Sequence, residues 1–280
     1  MNFTIETLKE FLTKQEQKGL VHASNILAKL AGNKNIDFLL RCADKYYEFH
    51  TYFDMSNLDN SVDIWNKYLN FVRTNNKNGN GTPIFTAQSK FESTIVEEVL
   101  YRMFKEYESE NIKIGGIKAF SNMFFSPSDF RNFKEHSNIK INTKDQDFAI
   151  YKQVEIKITG NNKSTNAFVP VIAIECKTYI DKTMLEGSVA TAEKIKNGNP
   201  YCRFCIVTER YDVDKRVDIK SSRIDQIYIL KKDAKKSNVD SIDIAKDVVK
   251  LIYDDTKKHL NTKWADIEKS IKEKGIIFEN

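Results

Sequence analysis

Disulfide chemistry is the first thing this sequence leaves out. Four cysteines (Cys42, Cys176, Cys202 and Cys205) in 280 residues are too few for a framework of cross-links. Their one tight spacing is Cys202-Arg203-Phe204-Cys205, which has no second pair and no nearby His and opens the apolar run Phe204-Cys205-Ile206-Val207. It reads as small buried residues in a reducing compartment rather than as zinc ligands. Long apolar runs are also missing. No stretch approaches the roughly 20 residues needed to span a bilayer, and Met1-Asn2-Phe3-Thr4-Ile5-Glu6 has neither the basic segment nor the apolar run of a secretory signal. These absences lead us to expect a soluble, cytoplasmic protein with no membrane partner. Charge of one sign is scarce too: 44 basic and 39 acidic residues leave a net +5, compatible with a nucleic-acid partner but not diagnostic of one. The four histidines (His22, His50, His136, His259) are scattered without ligand spacing, which argues against an HNH-type centre or a zinc hydrolase.

What is present is a chain that is 41% hydrophobic and 30% charged, enough for a core under a well-solvated surface. Residues 1–74 are helical in pattern, with Ile5, Leu8, Phe11 and Leu12, then Ile26, Leu27 and Leu30, then Phe38, Leu39, Cys42 and Tyr46, and finally Ile64, Tyr68, Leu69 and Val72 at helical spacing. A DNA-binding helix-turn-helix is one reading of this region, and plain helical pairing is another. Asn75-Asn76-Lys77-Asn78-Gly79-Asn80-Gly81-Thr82-Pro83 opposes both helix and strand and marks a linker over 75–83. Residues 84–280 then form a second region. Its pattern predicts a helix over Ala87–Tyr107, strands over Ile112–Phe125, Asp147–Ile158 and Phe168–Lys177, and a turn at Gly160-Asn161-Asn162. A helix over Asp181–Asn197, strands over Cys202–Thr208 and Gln226–Leu230, and a last helix through Ile242, Val248, Leu251 and Ile252 follow. That order implies an α/β domain with a mixed central sheet.

The run Val169-Pro170-Val171-Ile172-Ala173-Ile174 has no polar residue, as in a strand covered on both faces, yet it stops on Glu175-Cys176-Lys177. Period-two geometry puts Glu175 and Lys177 on one side. Charged groups are seldom fully buried unless paired or bound to a metal. Upstream, Lys144-Asp145-Gln146-Asp147 leads into the strand start Phe148-Ala149-Ile150. If the two strands pair, Asp147 and Glu175 converge, and with the backbone carbonyl of Cys176 they make a hard-oxygen site suited to Mg²⁺. Lys177 beside them would orient a water or assist its deprotonation, which completes the parts that phosphodiester hydrolysis requires. A structural salt bridge is the competing reading. Acid-x-Lys is common in this chain: Glu16-Gln17-Lys18, Glu155-Ile156-Lys157, Asp233-Ala234-Lys235 and Asp255-Thr256-Lys257 all match. Only Glu175-Cys176-Lys177 ends a continuous apolar strand, whereas Glu155-Ile156-Lys157 runs into a polar turn.

The Ala87–Tyr107 helix offers a further carboxylate. At 100° per residue Glu92 falls in the sector of Ile95, Val96, Val99 and Met103, and it is a candidate metal ligand through water. Its alternative role is an N-terminal Glu favoured by the helix dipole. Glu97 and Glu98 flank the stripe and are weaker candidates. Lys182, Lys194 and Lys196 lie near the site in sequence, but a solvated helix face accounts for them equally well.

Asp147 followed by Glu175-Cys176-Lys177 resembles the PD-(D/E)xK nuclease signature, with Gln146 standing where that signature has Pro. A longer resemblance, to the BbvCI-like type II restriction endonucleases, runs in order through Lys144–Phe148, Val169–Tyr179, Met184-Leu185, Thr191–Lys196, Pro200-Tyr201-Cys202 and Ile224–Leu230. It implies a PD-(D/E)xK restriction-endonuclease-like core, a mixed sheet flanked by helices, over 84–280. The region 1–74, outside the resemblance, is then expected to contact DNA or serve dimerisation. The activity implied is Mg²⁺-dependent cutting of double-stranded DNA at a short specific sequence, leaving 5′-phosphate ends, by Asp147, Glu175 and Lys177. A homodimer, or a heterodimer with a related subunit, is expected, along with a cognate methyltransferase. Two alternatives stay open: a structure-specific repair or junction nuclease of the same superfamily, and a non-catalytic DNA-binding subunit.

Overall fold

The computed structural model describes residues 3–32, 35–131, 138–158, 163–262 and 272–273; His136 and the turn expected at Gly160-Asn161-Asn162 lie outside them. The chain starts with four helices, α1 (Ile5–Glu16), α2 (Val21–Ala31), α3 (Ile36–Tyr52) and α4 (Leu58–Asn75). Each is amphipathic at the expected spacing, burying Leu8 and Leu12, Ile26 and Leu30, Phe38, Leu39, Cys42 and Tyr46, and Tyr68, Leu69 and Val72 in turn. Thr4 starts α1 through a reciprocal cap with Thr7.

Of the stretch 75–83, Asn75 ends α4, Asn76 is buried, and 77–83 form an exposed turn. Lys77 bridges Pro83, the Asn78 N–H donates to the Thr82 carbonyl, and Gly81 takes a φ of +82° that suits glycine. One hydrophobic core nevertheless runs across it, joining Leu8, Tyr46 and Trp65 to Phe104, Phe148, Ile174 and Ile252.

Helix α5 covers Ser93–Phe104, shorter than the periodicity predicts, with single 3-10 turns at Ala87–Ser89 and Lys105–Tyr107. The break on its N-terminal side is Lys90, whose φ of +56° is left-handed and cannot continue a right-handed helix. The sheet follows: β1 (Lys113–Phe125), β2 (Ile139–Ile158), β3 (Lys163–Lys177), then α6 (Lys182–Gly198), β4 (Arg203–Thr208), β5 (Gln226–Ile229) and α7 (Lys246–Asn261). Strands β2 and β3 begin earlier than their apolar residues indicate. Phe125 pairs with Ile139 and Ile158 with Lys163, so cross-strand pairing recruits mostly polar segments, in which Ile139 and Ile141 are the apolar residues of the early part of β2. Ile242 lies ahead of α7 because the Asn66 side chain holds Ile244 instead, accepting its N–H at 2.8 Å and donating to its carbonyl at 3.3 Å.

The strands lie in the order β1-β2-β3-β4-β5, antiparallel through β3 and parallel from β3 to β5, so the sheet is mixed as expected. Helix α6 makes the crossover that parallel β3 and β4 require. Alternation along β3 sorts its side chains: Ile172, Ile174 and Cys176 join the core shared with α1–α5 and α7, while Ala173 joins the core under α6. Cys202 falls in the α6 core and Cys205 in the opposite one, so the pair is divided between two faces and does not form one metal site. At the end of α6, Gly198 sits so close to β1 that a Cβ there would lie 2.6 Å from the Ser121 carbonyl oxygen.

Candidate active site

Pairing of β2 with β3 ends at Phe148↔Ile174, one residue short of Asp147 and Glu175. Past that point a side chain takes over from the strand ladder: Asp147 Oδ2 accepts the Cys176 N–H at 3.0 Å. Glu175 points under α6, where Ser188 Oγ donates to its Oε2 at 2.6 Å. Lys177, two residues on and on the same face, places its Nζ 3.4 Å from Glu175 Oε2 and 3.8 Å from Asp147 Oδ2. One ammonium is thus shared by the two carboxylates expected from the sequence. The rival Glu155–Lys157 pair lies exposed on β2 with a 3.3 Å separation, as its polar surroundings suggest.

The three helix carboxylates take three different positions. Glu92 is the residue flanking the start of α5, and its Oε2 accepts from Arg73 Nε at 3.1 Å. Arg73 also donates to Glu209 Oε2 at 2.5 Å, so the half-buried Glu92 is tied into an ionic cluster on the wall of the cleft that Asp147 and Lys177 line. Glu98 faces the N-terminal helices, accepting from Tyr46, Arg102 and the Ala23 N–H. Glu97 is the helix residue in the field of Asp147. Burial, reinforced by the Asp147 charge and only partly opposed by Lys90 and Lys177, pushes its carboxyl up to about 7. Its Oε1 is buried without a hydrogen-bond partner. The helical wheel did not single Glu97 out because α5 is buried on nearly every side, between the other helices and the sheet. An apolar stripe cannot mark the sheet-facing side of such a helix.

Lys90 joins the site without any mark in the sequence pattern. Its Nζ lies 3.1 Å from Asp147 Oδ1, and the Asp147 charge holds its ammonium above the usual lysine range. Lys90, Asp147 and Lys177 line a cleft of about 430 Å³, whose other charged wall residues are Arg73, Lys77, Arg210, Glu92 and Asp240. The cationic excess on its walls suits a polyanion. Among the described residues no group of three or more His, Cys, Asp or Glu side chains is gathered closely enough to ligate one ion. The convergence here is of two carboxylates on one cation.

Residues 88–242, more than half of the chain, with Lys90, Glu97, Asp147, Glu175 and Lys177 among them, match the Bpu10I restriction endonuclease family. The chain belongs to that family. The fold agrees: the chain is similar to one from the native BbvCI A2B2 tetramer, with a TM-score of 0.68 and 21% identity, over 88% of this chain and 96% of that one. The restriction-endonuclease-like core and the resemblance to BbvCI-like enzymes read from the sequence are both borne out. No curated protein matches. Among the described residues no helix is long and apolar enough to cross a membrane.

Proposed function

We propose that this member of the restriction endonuclease family is a type II enzyme that hydrolyses phosphodiester bonds of duplex DNA at a short specific sequence, requires Mg²⁺ and leaves 5′-phosphate ends. The observation that carries the reading is the Lys177 ammonium within reach of both Asp147 and Glu175 at the end of a buried strand. A site that already gathers two carboxylates around one positive charge has the donor chemistry for a hard divalent cation. Asp147, Glu175 and the Cys176 carbonyl would hold it, with water filling the other positions that Mg²⁺ commonly keeps hydrated. Bound there, the cation supplies Lewis-acid polarisation of a phosphoryl oxygen.

The chain's own residues do the rest. Ser188 fixes the Glu175 carboxylate, and the Cys176 N–H fixes that of Asp147, so both are oriented before DNA arrives. Lys177 donates a hydrogen bond to the attacking water and aligns it with phosphorus. Glu97, held near neutral pH beside Asp147, replaces Glu92 in our reading as the helix carboxylate that serves the site. The walls of the cleft position the duplex through phosphates, as Lys and Arg side chains do.

The A2B2 assembly named for the BbvCI structure favours an oligomer here. A heterodimer with a related subunit is the first form to test, a homodimer the second. Residues 1–74 and 84–280, with the stretch 75–83 between them, are then the DNA-contact or dimerisation region and the nuclease domain. A cognate methyltransferase would protect host DNA, and the system would act in the cytoplasm. The test is conversion of supercoiled plasmid by the purified chain, alone and with its related subunit. Cleavage should stop in EDTA and in folded Glu175→Ala and Lys177→Ala; cutting at the wild-type rate by either variant would remove the assignment.

A further inference from the structure

Lys90 is built as though its side chain had a second destination. Its backbone is left-handed at φ +56°, an uncommon state for a residue with a long side chain. The neighbours enforce it. The preceding Ser89 carbonyl accepts from Asn25 and Lys29, each at 3.2 Å, and Phe91 on the other side is buried among His22, Phe38 and Phe85. The Lys90 carbonyl itself accepts the Thr94 N–H at 3.1 Å at the start of α5. A strained residue held this firmly from both sides is a feature of functional sites.

The side chain behaves in the opposite way. It is 61% exposed and ends on Asp147 Oδ1, the carboxylate oxygen that the Cys176 N–H does not use. An exposed ion pair stabilises too little to explain a strained backbone. Lys177, at 30% exposure, already neutralises Asp147 from the other side. Two ammonium groups therefore sit on one carboxylate at the cleft wall: Lys177, half-buried and also held by Glu175, and Lys90, exposed and held by Asp147 alone.

We propose that Lys90 is an exchanging cation: it occupies Asp147 in the free enzyme and, when a divalent cation takes that carboxylate, moves to a phosphate oxygen of the bound DNA strand. The inference rests on the metal-dependent reading above. It makes metal and DNA binding mutually reinforcing, because the metal releases the ammonium and the phosphate keeps it away from Asp147. In the free enzyme Lys90 keeps the carboxylate neutralised, so an ion must displace it.

Two measurements on Lys90→Gln test this, with Lys90→Arg as the conservative control. Calorimetry with Mn²⁺ alone should show tighter binding to Lys90→Gln than to wild type by about fivefold, the loss of one competing charge near the surface. Binding of a random-sequence duplex across a salt series should show a slope shallower by about one in Ca²⁺, and an unchanged slope without divalent cation. Lys90→Arg should keep the wild-type slope. Mn²⁺ affinity equal to wild type, or a Ca²⁺ slope that does not change, overturns the proposal. A wild-type chain that binds no Mn²⁺ at all defeats the metal-dependent reading instead, and this proposal with it.

Discussion

Asp147 on β2 and Cys176 on β3 are joined by a carboxylate-to-backbone hydrogen bond of 3.0 Å at the point where the two strands stop pairing. The bond gives Asp147 a structural task alongside the proposed chemical one, and a substitution can separate them. Asp147→Asn keeps an oxygen acceptor for the Cys176 N–H but loses the negative charge. We expect its urea midpoint to stay near wild type while Mg²⁺-dependent plasmid cleavage falls by about 1000-fold or more, the scale of losing several kcal/mol of metal assistance. Equal losses of stability and cleavage would make Asp147 a structural residue only.

Glu97 gives the metal-free protein a pH dependence of definite sign. Its carboxyl titrates at about 7 when folded against a reference of 4.5, so the folded state binds the extra proton. The stability this neutral carboxyl contributes is fully present below about pH 4.5 and lost as pH rises through 7, an effect of about 3 kcal/mol. Urea unfolding of wild type in EDTA should therefore weaken between pH 5 and pH 8 more than that of Glu97→Gln. Parallel pH profiles would show that Glu97 is not held neutral.

His22 works in the other direction. Burial, helped by the charges of Lys29 and Arg102, lowers its pKa to about 3, while Tyr68 and Thr94 bond its two ring nitrogens at 2.7 and 2.9 Å. The stability of this neutral imidazole is present above the reference 6.5 and lost as pH falls toward 3, by up to about 5 kcal/mol. His22→Asn should be weaker at pH 7 yet lose less between pH 7 and pH 4. The measurement is the urea midpoint at both values.

The buried ionic cluster beside the cleft should be costly to split. Arg73 bonds Glu209 and Glu92, and the fully buried Lys231 lies 3.8 Å from Glu209. Burial pushes the Glu209 carboxyl up more than Arg73 and Lys231 draw it down. Arg73→Met leaves that carboxylate without its shortest partner and should cost about 3–5 kcal/mol by chemical denaturation. Arg73→Met combined with Glu209→Met should cost less than the single change. A double variant weaker than the single one would show the cluster to be net stabilising.

Much of the centre was legible because its signals are local. Val169 to Ile174 carries no polar residue, so the charges of Glu175 and Lys177 stand out against a strand whose neighbours bury it. Asp147 precedes an apolar strand start, and pairing brings it alongside. The early starts of β2 and β3 left no such trace, since their pairing through Lys140–Lys144 and Lys163–Asn166 is set by partner strands rather than by apolar residues. Glu97 ranks below Glu92 in the sequence because α5 has no exposed face to define its buried one. Lys90 was hidden inside what reads as a continuous helix, since nothing local to it reports a left-handed backbone.

The most direct test is a digest of phage DNA in Mg²⁺ by wild type and by Asp147→Asn, each with its related subunit where one is required, followed by sequencing of the ends. Wild type should give discrete fragments that share one short sequence and carry 5′-phosphates, with no cutting by the variant. Cutting by Asp147→Asn at the wild-type rate, or wild-type ends without a shared sequence, would contradict the proposed function.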